Sequence, residues 1–398
     1  MKIKIAYLTA SFPYGNGESF ILPEILFLLQ KQNNIIIFPL LKRGNNNLNE
    51  IGIRLILKSG KLFFVPTPFS FFLFIKNLPF IIRVLVESYK SSFIHLLKNI
   101  LIIPKSIYIA RQISKNKIDH LHVHWGATTA TCGMLAAHFS KIKWSFTCHR
   151  WDIYENNILR FKSNDAFFTR FISKKGLSDG IILGCNPTKS FLLNMGVDIP
   201  EELHQIQDIN FSTEIRIICS ASLIEVKGHI FLFQAMKILV NKNFKIKLIL
   251  CGDGNLREYL INYAKKLSLD NCIFFYGHLS HSELINLYKN NLFHFSILAS
   301  IDLGNGLHEG VPVSLMEAMS FGIVPISTIT GSISELIPVE LLVKDKDAVS
   351  IANLITYFIE NPQIYINKRK EMATLISNYW NSDMSNSKLY QMFLNNEE

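Results

Sequence analysis

Two carboxylates, Glu309 and Glu317, stand with seven residues between them in a run that begins at Leu303 and ends at Pro325. Glycines at 304, 306, 310 and 322 punctuate that run. A glycine-rich loop that feeds into a helix offers free backbone N–H groups and the positive end of the helix dipole, and both suit a phosphate. Val313, Ser314 and Leu315 stand where such a helix would open. Carboxylates repel phosphate but accept hydrogen bonds from hydroxyls. A pair of them flanking a phosphate site therefore suits a sugar on one side and a ribose on the other. The same residues admit a plainer reading, because Ser314 and Glu317 have the spacing of a capping box, in which the acid bonds only the backbone at the helix start.

Other residues with chemical potential lie upstream. Lys227-Gly228-His229 opens a helix, which puts a cation where a phosphate would sit. His149 lies at a strand end, within Thr147 to Tyr154, and Asp152 follows three residues later. His122 and His124 fall on one face of a strand, with Trp125 next to them. The sequence offers no carboxylate or cysteine beside the two histidines to complete a metal site, so they read as structural or acceptor-side groups and no metal is expected.

These groups need elements to hold them. A length of 398 residues suggests two domains. A content of 49% hydrophobic and 18% charged residues describes a folding chain. In the first half, strands are expected over 3–9, 35–40, 120–125, 144–148 and 180–184, with helices over 20–30 and 128–139 and another starting at Pro187 and Thr188. The second half reads as a cleaner series. Its strands are 215–221, 247–251, 273–275, 292–297 and 324–327, and its helices are 230–240, 256–267, 283–290 and 315–321. The alternation predicts an α/β protein of two doubly wound parallel sheets, with a linker over 197–212 and ligands at the strand C-termini. Domain limits follow at 1–205 and 206–375, with a tail of 376–398 packing back on the first domain.

The six cysteines, at 132, 148, 185, 219, 251 and 272, never form C-x-x-C, and several sit in apolar runs. They read as free buried thiols in a reducing compartment. The N-terminus reads as a first strand and not as a secretory signal. Residues 1–118 hold sixteen Lys/Arg against four Asp/Glu, which is +12, so the remainder of this +10 chain is −2. A basic half beside a neutral one suggests an anionic partner. Residues 62–113 are rich in Phe, Ile and Leu but are interrupted by Lys76, Arg83, Lys90, Lys98, Lys105 and Arg111. Leu62–Ile75 is the longest charge-free run, short of a membrane span. Amphipathic helices are expected there, lying on an anionic membrane surface or packed as core helices with solvated lysines. Nucleic acid is disfavoured because the basic half is apolar and lacks a clustered Lys/Arg face.

The motifs, taken together and in order, resemble those of family 4 retaining glycosyltransferases of the GT-B fold, most like the colanic acid and amylovoran exopolysaccharide branch. Glu309, Gly310, Pro312, Glu317-Ala318-Met319 and Gly322 resemble its donor-site motif. Ser222 to Gly228 resembles its phosphate loop, Cys251 to Arg257 its Gly-Asp-Gly turn, Phe275 to Leu279 its base-contacting loop and Gly331 to Glu335 its Gly-Gly-Ile-Pro-Glu loop. Phe12 to Ser19 resembles the N-terminal glycine loop and Thr147 to Tyr154 the His–Asp motif. The likeness spans about residues 5–375. It implies two Rossmann-like domains facing a central cleft, with the acceptor on the first and a nucleotide-sugar (UDP- or GDP-sugar) on the second.

The same resemblance implies roles. Glu309 would contact the transferred sugar and Glu317 the ribose. Lys227 would stabilise the departing diphosphate, and Gly17 would let the backbone approach it. His149 would bond a sugar hydroxyl, and Glu309, His149 and Lys227 would form the catalytic set. Gly252, Gly277, Leu279, Val313, Ser314 and Leu315 would complete the donor side, and Asp152 and Trp125 the acceptor side. Ser222 stands where the family usually has Arg, which removes a cation from the leaving group unless Arg257 supplies one. Ala299 before Ser300 and the reading Gly-Ser-Ile-Ser-Glu are smaller departures. The function implied is retaining hexosyl transfer to a lipid-linked or surface polysaccharide, in the cytoplasm or peripherally on the inner face of the membrane, with no cofactor or metal. A GT-B-like nucleotide-sugar epimerase and a non-catalytic scaffold are the alternatives.

Overall fold

A computed structural model describes residues 3–15, 17–32, 35–44, 53–55, 68–200, 211, 214–290 and 293–394. The chain forms two units: residues 1–194 joined by 386–398, and residues 195–385. The division at Asn194/Met195 replaces the expected limit at 205/206. Val197 belongs to the second unit because it is buried in that unit's core and pairs as an isolated bridge with Asn381. Most of the expected linker, at 201–210 and 212, lies outside the described residues, as does 62–67 of the charge-free run.

The first unit opens with β1 (Ile5–Thr9), α1 (Leu22–Lys31), β2 (Ile35–Pro39) and β3 (Ile53–Leu55). Three helices follow: α2 (Pro68–Lys76), α3 (Leu78–Ser91) and α4 (Phe93–Asn116). Then come β4 (His120–His124), α5 (Thr128–Ser140), β5 (Lys143–Cys148), α6 (Arg150–Glu155), α7 (Leu159–Asp165), β6 (Phe168–Phe171), α8 (Lys174–Ile182) and β7 (Ser190–Leu192). The sheet is parallel in the order β3-β2-β1-β4-β5-β6-β7. Each central strand is buried along its length, as expected when helices cover both faces.

Residues 180–184, expected as a strand, instead end α8. Ser173 caps this helix by accepting from the Gly176 N–H at 3.0 Å, and Gly180 admits the Phe171 ring where a Cβ would collide with it. Short apolar runs fit either period, and here the cap decides. The helix expected from Pro187 is a single 3-10 turn, Pro187–Lys189, which leads into the edge strand β7.

Helix α4 is long and apolar enough, by length and composition, to cross a membrane. Its second half does other work: Ile102, Ile103, Ile107, Ile109, Ala110 and Ile113 are buried in the core above the sheet. Its first turns are bare. Phe93 and Ile94 are each 63% exposed and Leu101 61%, while Leu97 and Ile100 are also exposed. Ile82, Val86 and Tyr89 on α3 and Phe71, Phe72 and Ile75 on α2 are exposed as well. Ile82, Val86 and Tyr89 follow a helical period, so they form one apolar stripe.

The second unit comprises β8 (Ile215–Ser220), α9 (His229–Asn241), β9 (Ile246–Cys251), α10 (Arg257–Lys266), β10 (Ile273–Gly277), α11 (His281–Asn290), β11 (Phe295–Leu298), α12 (Val313–Ser320), β12 (Val324–Thr328), β13 (Leu342–Val343), α13 (Ala348–Glu360), α14 (Pro362–Tyr379) and α15 (Ser382–Leu394). Its sheet is parallel in the order β10-β9-β8-β11-β12-β13. Consecutive connections run outward from β8 in both directions, so the order reverses between β8 and β11. The loops after those strands are where a doubly wound sheet holds ligands. Helix α15 starts in this unit at Ser382, and from Asn386 on it belongs to the first unit, in whose core Leu389 and Phe393 are buried beside Tyr7 and Phe168.

Candidate functional site

The loops after β8 and β11 bring a cation and a carboxylate together. Lys227 closes the 3-10 turn Glu225–Lys227, and its Nζ donates to Glu309 Oε2. Gly228 makes this possible: its φ is +62°, and a Cβ there would overlap the Ala299 carbonyl oxygen. Glu309 Oε2 also accepts from Ser300 Oγ at 3.2 Å, and Oε1 from the Gly310 N–H at 3.2 Å. From behind, the Ser332 N–H donates to the Glu309 carbonyl at 3.3 Å, and His308 Nδ1 bonds the same oxygen at 2.9 Å. Gly331, at φ +54°, packs so tightly on this carbonyl that any Cβ would overlap it. The loop resembling Gly-Gly-Ile-Pro-Glu therefore serves as the brace of Glu309, a part that its sequence did not disclose.

Glu317 is the second acid, and the capping-box reading fails. Helix α12 begins at Val313 with Pro312 as its cap and no side-chain cap bond, so Ser314 is already inside the helix. The Glu317 carboxylate turns instead to His281 Nε2 at 3.0 Å. That hydrogen bond raises the His281 pKa above the ordinary value, against the effect of partial burial. His281 was not legible as a partner, since 36 positions separate the two. The first N–H groups of α12, at Val313 and Ser314, lie at the positive helix end, while the Leu315 N–H bends back to the Pro312 carbonyl at 3.2 Å and its side chain is buried.

Gly252 and Gly277 shape the neighbouring loops. Gly252 donates its N–H to the Gly277 carbonyl at 2.7 Å, and a Cβ on Gly252 would overlap the Ala221 carbonyl. Gly277 is left-handed, at φ +74°, and Arg257 Nη1 is the one atom within reach of a Cβ placed there, at 3.7 Å. Leu279 packs its side chain on the small core around Tyr288 and Ala318, so only its main chain remains for a ligand. Ser222 is exposed, and the Leu223 N–H and carbonyl tie its loop to Asp253 and Leu256.

In the first unit, His149, Trp125 and Asp152 form a packed cluster. Trp125, at φ 77°, packs against His149 with the rings tilted by 34° and centroids 4.4 Å apart, and it donates its indole N–H to Glu18 Oε1. Glu18 further accepts from the backbone N–H groups of Ala10 (3.1 Å), Ser11 and Phe12 (2.6 Å), so it holds the whole glycine loop. Gly17 in that loop is exposed, with nothing within 4 Å of a Cβ position, whereas Gly15 is the glycine that sterics require, against the Arg43 carbonyl.

His149 Nε2 meets His124 Nδ1 at 3.3 Å, and its ring also faces the backbone of Asp152 in a capping box. His149 is buried, and burial, followed by His124 and Arg170, pushes its pKa well below the ordinary value. The ring is thus turned into the unit and bonded to His124 through Nε2. Asp152 is fully buried, and its carboxylate accepts from the Gly126 and His149 N–H groups. Its geometry is that of a brace behind the loop, not of an acceptor-side contact.

The expectation that no carboxylate accompanies His122 and His124 is also corrected. Glu24, from α1, reaches His124 Nε2 at 3.0 Å, and ligating atoms of Glu24, His122 and His124 lie within 4.8 Å of one another. These atoms already have partners. Arg170 Nη1 meets Glu24 at 2.5 Å, and His122 bonds Ser145 Oγ at 2.8 Å and Thr147 Oγ1 at 2.9 Å. Burial would raise the Glu24 pKa, but Arg170 and His124 outweigh it and hold the group far below the carboxylate range. The cluster is a buried ion pair extended by hydrogen bonds.

Two parallel-sheet units with these loops define the class as a chain of GT-B fold. A glycosyltransferase from Rickettsia africae matches all of the chain over its own full length with a TM-score of 0.70 at 17% identity. HepE from Anabaena in complex with UDP-glucose matches 98% of the chain and 99% of its own, with a TM-score of 0.72 at 14% identity. Residues 201–376, most of the second unit, match the family Glycosyl transferases group 1. Among curated relatives, CapJ of Staphylococcus aureus is 27% identical over 54% of this chain and 52% of its own length. The amylovoran biosynthesis glycosyltransferase AmsK of Erwinia amylovora is 30% identical over 39% of this chain and 38% of its own. The chain thus spans about half the length, or less, of these two relatives.

Proposed function

We propose that the protein transfers a hexose from a UDP- or GDP-sugar, with retention, to a lipid-linked or surface polysaccharide acceptor. The observation that carries this reading is the meeting of Lys227 and Glu309, 82 positions apart, in the loops after β8 and β11. Lys227 and the first N–H groups of α12 hold the diphosphate, Glu309 takes hydroxyls of the sugar, and Glu317 takes those of the ribose. Breaking the bond between the anomeric carbon and the phosphate oxygen leaves charge on the diphosphate, and fixed donors aimed at it lower the barrier. The acceptor oxygen then bonds the anomeric carbon on the same face and gives its proton to the departing phosphate oxygen. These groups neutralise the diphosphate without a metal ion. The HepE structure with UDP-glucose supports the donor class, and AmsK and CapJ support a polysaccharide product.

The first unit supplies the acceptor side and docks on the anionic inner face of the membrane, which places the protein in the cytoplasm or peripherally on that face. The bare apolar turns of α2–α4, next to Lys76, Arg83, Lys90 and Lys98, support this. The test of the transfer is Glu309→Ala. Sugar transfer should fall about 100-fold or more while the thermal unfolding profile keeps its cooperativity. A folded variant with full transfer removes Glu309 from the sugar site. A scaffold without catalysis is favoured only by Ser222, which leaves Lys227 as the one cation of its loop, and that lysine is paired with Glu309. Activity that appeared only in Ser222→Arg would establish that reading.

A further inference from the structure

Lys227 and Glu309 do more than flank a donor, because each is the other's nearest charge. Their side chains are 19% and 13% exposed, so the pair is largely withdrawn from water and its interaction is weakly screened. Any diphosphate oxygen that bonds Lys227 Nζ therefore comes within about two contact lengths of the Glu309 carboxylate. The two anions repel at that range, and they compete for one ammonium. A nucleotide-sugar meets this conflict with its hexose, whose hydroxyls bond the carboxylate as the diphosphate takes the lysine. A bare nucleoside diphosphate has nothing to place against Glu309.

We propose that Glu309 discriminates between donor and product and drives product release: once the sugar has left, its carboxylate reclaims Lys227 and repels the nucleoside diphosphate. The carboxylate is built to stay in place for this. Ser300 Oγ and the Gly310 N–H hold its two oxygens, and Gly331 and Ser332 hold the main chain behind it. This inference rests on the donor site proposed above, and it predicts something that site alone does not. Removing a side chain from a binding site ordinarily weakens every ligand, whereas here it strengthens one of them.

The test is equilibrium titration of UDP and GDP against the wild type, Glu309→Gln, Glu309→Ala and Lys227→Ala. Glu309→Gln keeps the shape and removes the charge. It should bind the nucleoside diphosphate about tenfold more tightly than the wild type, and Glu309→Ala should show the same direction. Transfer should be lost in both variants. Lys227→Ala should weaken diphosphate binding, and adding it to Glu309→Gln should abolish the gain. Equal or weaker diphosphate binding by both folded Glu309 variants overturns the inference, even with the Lys227 effect intact. Should the wild type bind neither UDP nor GDP, the donor-site reading itself falls and takes this inference with it.

Discussion

At the scale of single residues, the site depends on backbone positions as much as on charges. Gly331 is left-handed and lies against the Glu309 carbonyl, so a methyl group there must displace the loop that aims the carboxylate. Gly331→Ala should reduce transfer by about tenfold or more, and unfolding should shift by only about 1–3 kcal/mol. A transfer assay beside a urea titration separates the two, and unchanged transfer would show that the Gly331 loop has no part in aiming Glu309. His281 makes a second case. It holds Glu317 through one oxygen, and in the proposed donor site the other oxygen takes the ribose hydroxyls. His281→Ala should raise the donor KM several-fold with kcat nearly constant, the mark of an effect on binding alone. The reverse split would place His281 in the chemical step. The types and spacing of Glu309, Glu317 and Lys227 singled them out in sequence, and the structure brings Lys227 and Glu309 together. His281, Glu18, Glu24 and Arg170 were not singled out, since each acts across a long separation that only the packed sheets close.

At the scale of elements, period and cap signals located most of the second unit, where β8, β9 and β12 appear close to their expected limits, while β11 starts at Phe295 and the expected start at 292 lies outside the described residues. The first unit was harder to read. Strand β6, in a phenylalanine-rich run that includes Arg170, went unread because its one charged residue is turned inward to Glu24. The two-residue strand β13 is too short to leave a pattern. Helix α4 shows how one element can carry two signals. Its apolar content is continuous, yet residues from Ile102 on face the core while Phe93, Ile94 and Leu97 do not. An exposed apolar patch of this kind marks an interaction surface. In co-sedimentation with vesicles containing anionic lipid at low salt, the wild type should pellet. Phe93→Ser combined with Leu97→Ser should lower the bound fraction about tenfold without lowering the melting temperature, because neither residue is buried. Equal binding by the variant would dissociate α4 from the membrane.

At the scale of the whole molecule, acid stability follows from how many histidines the fold keeps neutral. Burial lowers the pKa of His95, His120, His122, His138 and His149 in the first unit and of His229 in the second. Burial takes the His120 pKa down to about 3, with Lys143 adding to it, and the His229 pKa down to about 4. Unfolded histidine takes up its proton near 6.5. Between that pH and the folded values the unfolded chain binds more protons, so stability is full above 6.5 and is lost as the pH falls. Each extra proton costs up to about 1.4 kcal/mol per pH unit. Two groups act in the opposite sense. Burial raises Asp152 to about 7, so the folded state keeps a proton there that the unfolded chain releases, and His281 gains from Glu317. Two opposing groups against six leave the balance with the neutral histidines. The urea midpoint should therefore drop steeply from pH 7 to pH 5, and the drop should be shallower in His120→Asn, which removes one titrating group from β4 and still offers a hydrogen bond to Ser145. A midpoint that stayed level across this range would mean that these histidines reach water in the native state, and the packed core around β4 would have to be redrawn.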